Sequence, residues 1–174
     1  MADLTNRMIR AARLDISLYE EVEADKEAMG QAMTVVILSS IAAGLSTFDI
    51  GGFSGLISGA FAALFGWFIW AFLTYYIGTR LLPEPQTYAD MGEMLRTIGF
   101  SSSPGLIRIL GIIPGLGWLT SLVAGIWMLA AMVIAVRQAL DYNSTWRALG
   151  VCLIGWIVQG IIFGLVFALF STVS

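Results

Sequence analysis

Four apolar runs dominate the chain, at about residues 32–48, 56–77, 116–136 and 149–173. Each meets or approaches the roughly 20 residues that a helix needs to cross the hydrocarbon core. A fifth run, 97–113, is broken by Ser101, Ser102, Ser103, Pro104 and Arg108, and its status decides the topology. With five crossings and a cytoplasmic N-terminus, Arg7, Arg10, Arg13, Lys26, Arg80, Arg96, Arg137 and Arg147 all fall on one side. The opposite stretches, around Asp49, at 114–117 and at the C-terminus, then carry no Lys or Arg. A re-entrant third segment would split this set by placing Arg137 and Arg147 opposite the rest. The positive-inside bias therefore predicts a true crossing, kinked at Pro104, with the C-terminus outside. Tyr75, Tyr76, Tyr142 and Trp146 would lie near the inner interface, and Phe48 and Trp118 near the outer one.

The polar remainder sits mainly before the first run and between the second and third. Leu4, Met8, Ile9, Ala11 and Ala12 share one side of a helical wheel, opposite Arg7, Arg10 and Arg13. This predicts a basic amphipathic helix at the inner interface, its three arginines facing anionic headgroups. Ser17 with Glu20 reads as a capping box opening a second helix, with Glu20, Glu21 and Glu23 near its start. The first 28 residues lack an apolar h-region, so no cleavable signal peptide is expected and the first span serves as the signal. After the second run, Pro83 and Pro85 force an extended stop. Thr87 and Asp90 then open a short helix with Met91, Met94, Leu95 and Ile98 on one face and Gly99 at its end.

Composition fits this frame: 58% hydrophobic residues, 12% charged residues and a mean hydropathy of +0.84 over 174 residues suit lipid rather than water as the solvent. The net charge of −3 matters less than where the charges lie. The chain has no histidine. That excludes Ser-His-Asp, Cys-His and zinc-protease chemistry. There is also no GxxxxGK(S/T) loop, and the scattered basic residues do not form a nucleic-acid surface. Cys152, the single cysteine, lies in an apolar run and reads as a packing residue. No catalytic residue, cofactor or metal site is expected, although a lipid-active carboxylate site is left open.

Several residues invite a functional reading beside a plainer one. Arg108 is the one ionisable residue well inside an apolar run, with no Asp or Glu in any span to pair with it. Either it meets a carbonyl, a serine, Asp49 or an anionic headgroup, or it snorkels to the nearby outer interface. Gln159 is the main polar residue of the last run. Gly51, Gly55 and Gly59, Gly111 and Gly115, and Gly160 and Gly164 recur at spacing four and would serve helix packing, within the bundle more than between copies. Asp90 and Glu93 could share a proton or metal, but a solvated face with Glu93 near Arg96 is the simpler reading. The broken third run also resembles the discontinuous helices of transporters.

Three stretches carry a family resemblance: Tyr75-Tyr-Ile-Gly-Thr-Arg80-Leu-Leu-Pro-Glu-Pro85, Gly99-Phe-Ser-Ser-Ser-Pro104 leading to Ile112-Ile-Pro-Gly-Leu-Gly117, and Trp127-Met-Leu through Val136-Arg-Gln-Ala-Leu-Asp-Tyr142. Together with the five-run order they make the chain similar to the Yip domain family of integral membrane proteins, named for binding Ypt/Rab-type GTPases. The resemblance implies a membrane-trafficking or membrane-organising role with partners in the same membrane. The chain lacks the long cytosolic N-terminal region and the Asp-Leu-Tyr-Gly-Pro type of motif, so GTPase binding is not carried over. It looks like a short bacterial-type member, which implies the bacterial inner membrane.

The sequence thus predicts an all-α membrane protein. Residues 1–28 form a cytoplasmic amphipathic segment, and 29–174 form a five-span helical bundle. Its expected role is a non-enzymatic organiser or adaptor that binds membrane lipid and other integral membrane proteins or itself. Arg7, Arg10 and Arg13 are the lipid-interface candidates; Pro83, Glu84, Pro85, Asp90, Glu93 and Arg96 are the partner-binding ones. A small transporter or channel using the broken third run and Arg108, most sensitive at Arg108, Pro104 and Pro114, is the alternative.

Overall fold

The computed structural model describes residues 3–46 and 48–171, without the side chains of 49, 50, 163, 165–167 and 169–171. All regular structure among them is helical. Two short helices come first, α1 (Leu4–Ala12) and α2 (Ile16–Ala24). Asp3 caps α1 by accepting from the Thr5 amide, and Asp15 caps α2 by accepting from the Ser17 amide. The expected Ser17–Glu20 box is therefore not the start of α2. Asp15 precedes it, just after Leu14 takes a left-handed φ of 61°, and an aspartate there satisfies the first amides directly.

Four helices are long and apolar enough to cross a membrane, and they make this an integral membrane protein: 26–45, 51–81, 117–139 and 145–162. They contain α3 (Met29–Leu45), α4 (Phe48–Tyr76), α6 (Gly117–Ala139) and α7 (Thr145–Ser171). The first turn of α4 is offset at Gly52, whose φ of 55° and ψ of −158° only glycine adopts readily. At its other end α4 loosens into a π-helix, Ile77–Leu81. The Tyr142 hydroxyl lies 2.9 Å from the Gly78 carbonyl and 2.7 Å from that of Leu82 and donates to them. Helical carbonyls without an i+4 partner thereby keep a donor.

The third apolar run departs from expectation. A single helix over 97–113 kinked at Pro104 does not form. Instead α5 (Met91–Phe100) ends before the serines, and a ten-residue 3-10 helix, Ser103–Ile112, follows with Pro104 in its first turn. Proline has no N–H and clashes with the carbonyl four residues back, so the α-helix stops at Phe100 and proline starts the next segment. The composite leg runs between the two ends of the bundle. At one end Arg96 reaches α2; at the other Gly111 lies against Ser46 and Thr120.

The two ends differ in chemistry. At the charged end, α5, the end of α4, the end of α6 and the start of α7 enclose a continuous core that includes Ile77, Met94, Ile98, Leu140, Val151 and Cys152. A second cluster, with Leu18, Tyr19, Val22, Val35 and Phe100, joins α2 to α3. Toward the opposite, apolar end the large side chains face outward, Phe53, Phe61, Phe65, Trp118 and Ile126 among them.

Close approach of the legs relies on Gly111 among the expected glycines, against Ser46 and Thr120, and on Gly99 and Gly105, which the spacing of four does not mark. A Cβ on Gly99 would lie 2.8 Å from the Cβ of Ala32 and 3.2 Å from its backbone, and one on Gly105 would meet Ser39 Oγ at 2.1 Å. Gly51, Gly55, Gly59, Gly160 and Gly164 have nothing within 4 Å of such a Cβ. Their expected role in packing within the bundle is not realised.

Candidate functional site

The 3-10 leg sets the position of the one charge within the apolar bundle. With three residues per turn, side chains at i and i+3 eclipse. Ser102, Gly105, Arg108 and Gly111 therefore share a stripe that turns inward, with Gly105 against Ser39 and Met128, and Gly111 against Ser46 and Thr120. Ile109, Leu110, Ile112 and Ile113 occupy the other two stripes and are exposed. On an α-helix the same four positions would spread over half the circumference. The local geometry thus determines that Arg108 points into the bundle rather than to its surface.

There Arg108 stands at the junction of two cavities. The central one, of about 290 Å³, receives residues from all five apolar legs: Ser39 and Ser40 from α3, Trp67 and Trp70 from α4, Ile98 and Ser102 around α5, Met128 and Met132 from α6, Trp156 and Gln159 from α7. The second, of about 600 Å³, shares Ser40, Ala63 and Arg108 with the first and extends past Ser46, Gly55, Gly59 and Ser121 toward the apolar end. Among the described residues no Asp or Glu lines either cavity. Among the described residues Arg108 has neither an ion pair nor a hydrogen bond. The Asp49 side chain, one expected partner, lies outside the described residues. The indole Nε1 of Trp70, a residue 5% exposed that lines the central cavity, is also buried without a partner. An unmet buried donor costs about 1–3 kcal/mol. Trp70 and Trp156 stack obliquely beside it with ring centres 6.4 Å apart.

The charged end has the opposite character: Arg7, Arg10 and Arg96 are each held by groups within the chain. Arg7 of α1, 4% exposed, donates to Glu21 at 2.8 Å, Asp25 at 2.7 Å and Gln31 at 2.9 Å. Arg10 donates to Asp15, Glu21 and Ser17. These arginines hold the Glu21, Asp15 and Asp25 carboxyls below their ordinary range, chiefly by hydrogen bonding. Arg96, also 4% exposed, donates to the backbone carbonyls of Val22 at 2.8 Å and Glu23. Burial pushes the Glu23 carboxyl up to about 7, helped by Asp141, Glu93 and Glu20 and opposed by Arg96. Trp127 Nε1 donates to the Ala12 carbonyl at 2.7 Å and ties α1 to α6.

These contacts correct several expectations. Arg7 and Arg10 are engaged by carboxylates within the chain, and only Arg13 of the three is exposed. The acidic residues of 15–25 lie close enough to neutralise them, which a helical wheel of 1–13 alone could not reveal. Of the partner-binding candidates, Arg96 is buried. Asp90 and Glu93 form a capping box on α5, each accepting the other's backbone amide at 2.8 and 2.7 Å. Glu84 accepts from the Asn143 amide at 3.0 Å and lies 3.5 Å from Arg147. Arg147 also donates to the Pro83 carbonyl, so the proline loop is docked on the α6–α7 turn. Pro83 and Pro85 remain exposed. Two exposed aromatic residues flank this dock: Tyr88, 76% exposed, and Trp146, 82% exposed. Tyr88 carried no signal beyond its place after the prolines. Arg108 and Gln159, singled out separately, are brought together on one cavity.

Among the described residues no group of three His, Cys, Asp or Glu could hold a metal ion. Comparison with family models matches residues 18–168 to the Yip1 domain. Neither curated proteins nor solved structures give a match.

Proposed function

The chain belongs to the Yip1 domain family, and from that premise we propose that it is a non-enzymatic membrane organiser whose charged end is a preformed docking face for another integral membrane protein. The observation that carries this reading is the self-neutralised charged end. Within this plate Arg7 and Arg10 are tied to Asp15, Glu21 and Asp25, Arg96 to the α2 backbone and Arg147 to Glu84 and Pro83, while Tyr88, Pro85 and Trp146 are left standing at its surface. A rigid plate with exposed aromatics loses little conformational freedom on binding, and Tyr and Trp are enriched in interface hot spots. In this reading the charged end faces the cytoplasm, in accord with the basic bias. The composite third leg then crosses: ten α-helical and ten 3-10 residues rise about 35 Å, against about 30 Å of hydrocarbon. α1 lies at the inner interface with Arg13 outward.

Purification from native membranes in mild detergent, with co-purifying proteins identified by mass spectrometry, tests the docking face. A stoichiometric membrane partner should be captured by the native chain and lost in the Tyr88→Ala, Trp146→Ala double variant. A partner set unchanged by that variant would refute the docking face. One observation favours a second reading, a small transporter: the polar cavity of Arg108 and Gln159 lies among all five apolar legs. Flux into proteoliposomes that disappears in Arg108→Gln would favour it.

A further inference from the structure

The two joined cavities form a site whose inventory is one-sided. Arg108 supplies a fixed positive charge and five donors. Trp70 adds a buried indole N–H that has no partner, and Gln159 and Ser102 line the same space. Ser121 lines the approach from the apolar end. Among the described residues no carboxylate lines either cavity. A cation would be repelled by such a site, and a neutral solute would leave the guanidinium uncompensated. The complement is a compact group with a negative charge and several acceptor oxygens. At about 290 Å³ the central space accommodates one readily, since a water occupies only about 30 Å³ of the liquid.

We propose that this cavity binds an oxyanion of the phosphate type, held by the Arg108 guanidinium with the Trp70 indole N–H and the Gln159 amide, and entering from the apolar end. The direction of entry follows from the packing. Trp67 and Ile98 bound the central cavity on the charged-end side, and behind them lies the continuous core with Met94, Leu95 and Val136. The second cavity continues the other way. Oxyanions reach that end from two sources, a phospholipid headgroup of the adjoining leaflet or a free anion in water. Both present the same tetrahedral group. Charge-assisted hydrogen bonds to a guanidinium are among the strongest a protein makes. The proposal is independent of the docking face at the charged end, which can fail without affecting it.

The test uses the purified full chain. In the lipid arm, protein in detergent is equilibrated with equal phosphatidylglycerol and phosphatidylcholine, and retained lipid is counted by native mass spectrometry. In the free-anion arm, inorganic phosphate is titrated against protein in phosphatidylcholine nanodiscs, with tryptophan emission as the signal, because Trp67, Trp70 and Trp156 line the cavity. Selective retention of phosphatidylglycerol supports the proposal and names a lipid as the source; a saturable response to phosphate supports it and names the free anion. Either signal should weaken about tenfold or more in Arg108→Gln, persist in Arg108→Lys, and be unchanged in Arg80→Gln at the charged end. If Arg108→Gln does not give a monodisperse protein, Trp70→Phe takes its place, with a loss of about fivefold expected. Signals that are absent in both arms, or equal in the native chain and these variants, overturn the proposal.

Discussion

The two ends of this bundle obey different rules. At the charged end Arg7, Arg10, Arg96 and Arg147 are each held by partners within the chain, and the legs meet closely at Gly99 and Gly78. At the apolar end the helices carry large side chains outward, and Gly51, Gly55, Gly59, Gly160 and Gly164 face open space. The contrast has a physical origin. Water at the charged end would compete for any unsatisfied group, so stability there depends on matched hydrogen bonds and tight packing. Lipid supplies no hydrophobic drive between helices, so an apolar end can remain loosely packed without penalty. Arg108 lies where the two regimes meet, and among the described residues neither regime gives it a partner.

Glycine substitutions should separate the ends most strongly. Gly99→Val forces two methyl groups toward the Ala32 backbone and should destabilise by about 3 kcal/mol, whereas Gly160→Ala, with open space around it, should stay within about 0.5 kcal/mol. Heating in detergent with a thiol-reactive dye reads both, because Cys152 is buried in the charged-end core and becomes reactive when that end opens. Next comes the ion network. Arg7→Leu should cost about 2 kcal/mol, less than a fully buried pair because Glu21 and Asp25 are about a third exposed. Arg13→Leu should leave the same melting curve in place.

A smaller effect distinguishes burial from pairing. Glu23 has its carboxyl raised to about 7, so its contribution to stability is full below the ordinary glutamate range and is lost as pH rises through about 7. Asp15, Glu21 and Asp25 are lowered, and their contribution is lost in the other direction, as pH falls into the carboxylate range. Between pH 5 and 8 the melting temperature of the native chain should therefore fall as pH rises. Glu23→Gln should flatten that slope and stabilise at pH 8, on the order of 1–2 kcal/mol after allowance for partial exposure. Least of all, Tyr142→Phe removes one donor from the π-helix carbonyls and should cost about 1 kcal/mol.

Much of this architecture is legible in the amino-acid sequence, and the gaps have causes. The four long apolar runs and the α5 cap at Asp90 follow from local rules that hold irrespective of the rest of the chain. The roles of Arg7, Arg10 and Arg96 do not, because each is settled by an element distant in sequence: 14 residues separate Arg7 from Glu21 and 74 separate Arg96 from Val22. A basic stretch at 7–13 followed by an acidic one at 15–25 was a readable hint of internal pairing. In the third leg, reading for α-helical period hid the period of three in Gly105, Arg108 and Gly111. Two bulky apolar residues follow each of these, which is the signature of a 3-10 helix with one inward stripe. The cavity itself needed three dimensions, since Arg108 and Gln159 come from separate legs.

Accessibility of single cysteines tests the central claim, that the third leg carries the chain from the closed charged end to an end from which Arg108 is reached. In a Cys152→Ser background, the Tyr88→Cys, Ser121→Cys and Arg108→Cys variants are treated with a membrane-impermeant thiol reagent in right-side-out and inverted vesicles. The account predicts that Tyr88→Cys reacts only from the cytoplasmic side, while Ser121→Cys and Arg108→Cys react only from the other. Labelling of Arg108→Cys from the cytoplasmic side, or of Tyr88→Cys and Ser121→Cys from the same side, would contradict it.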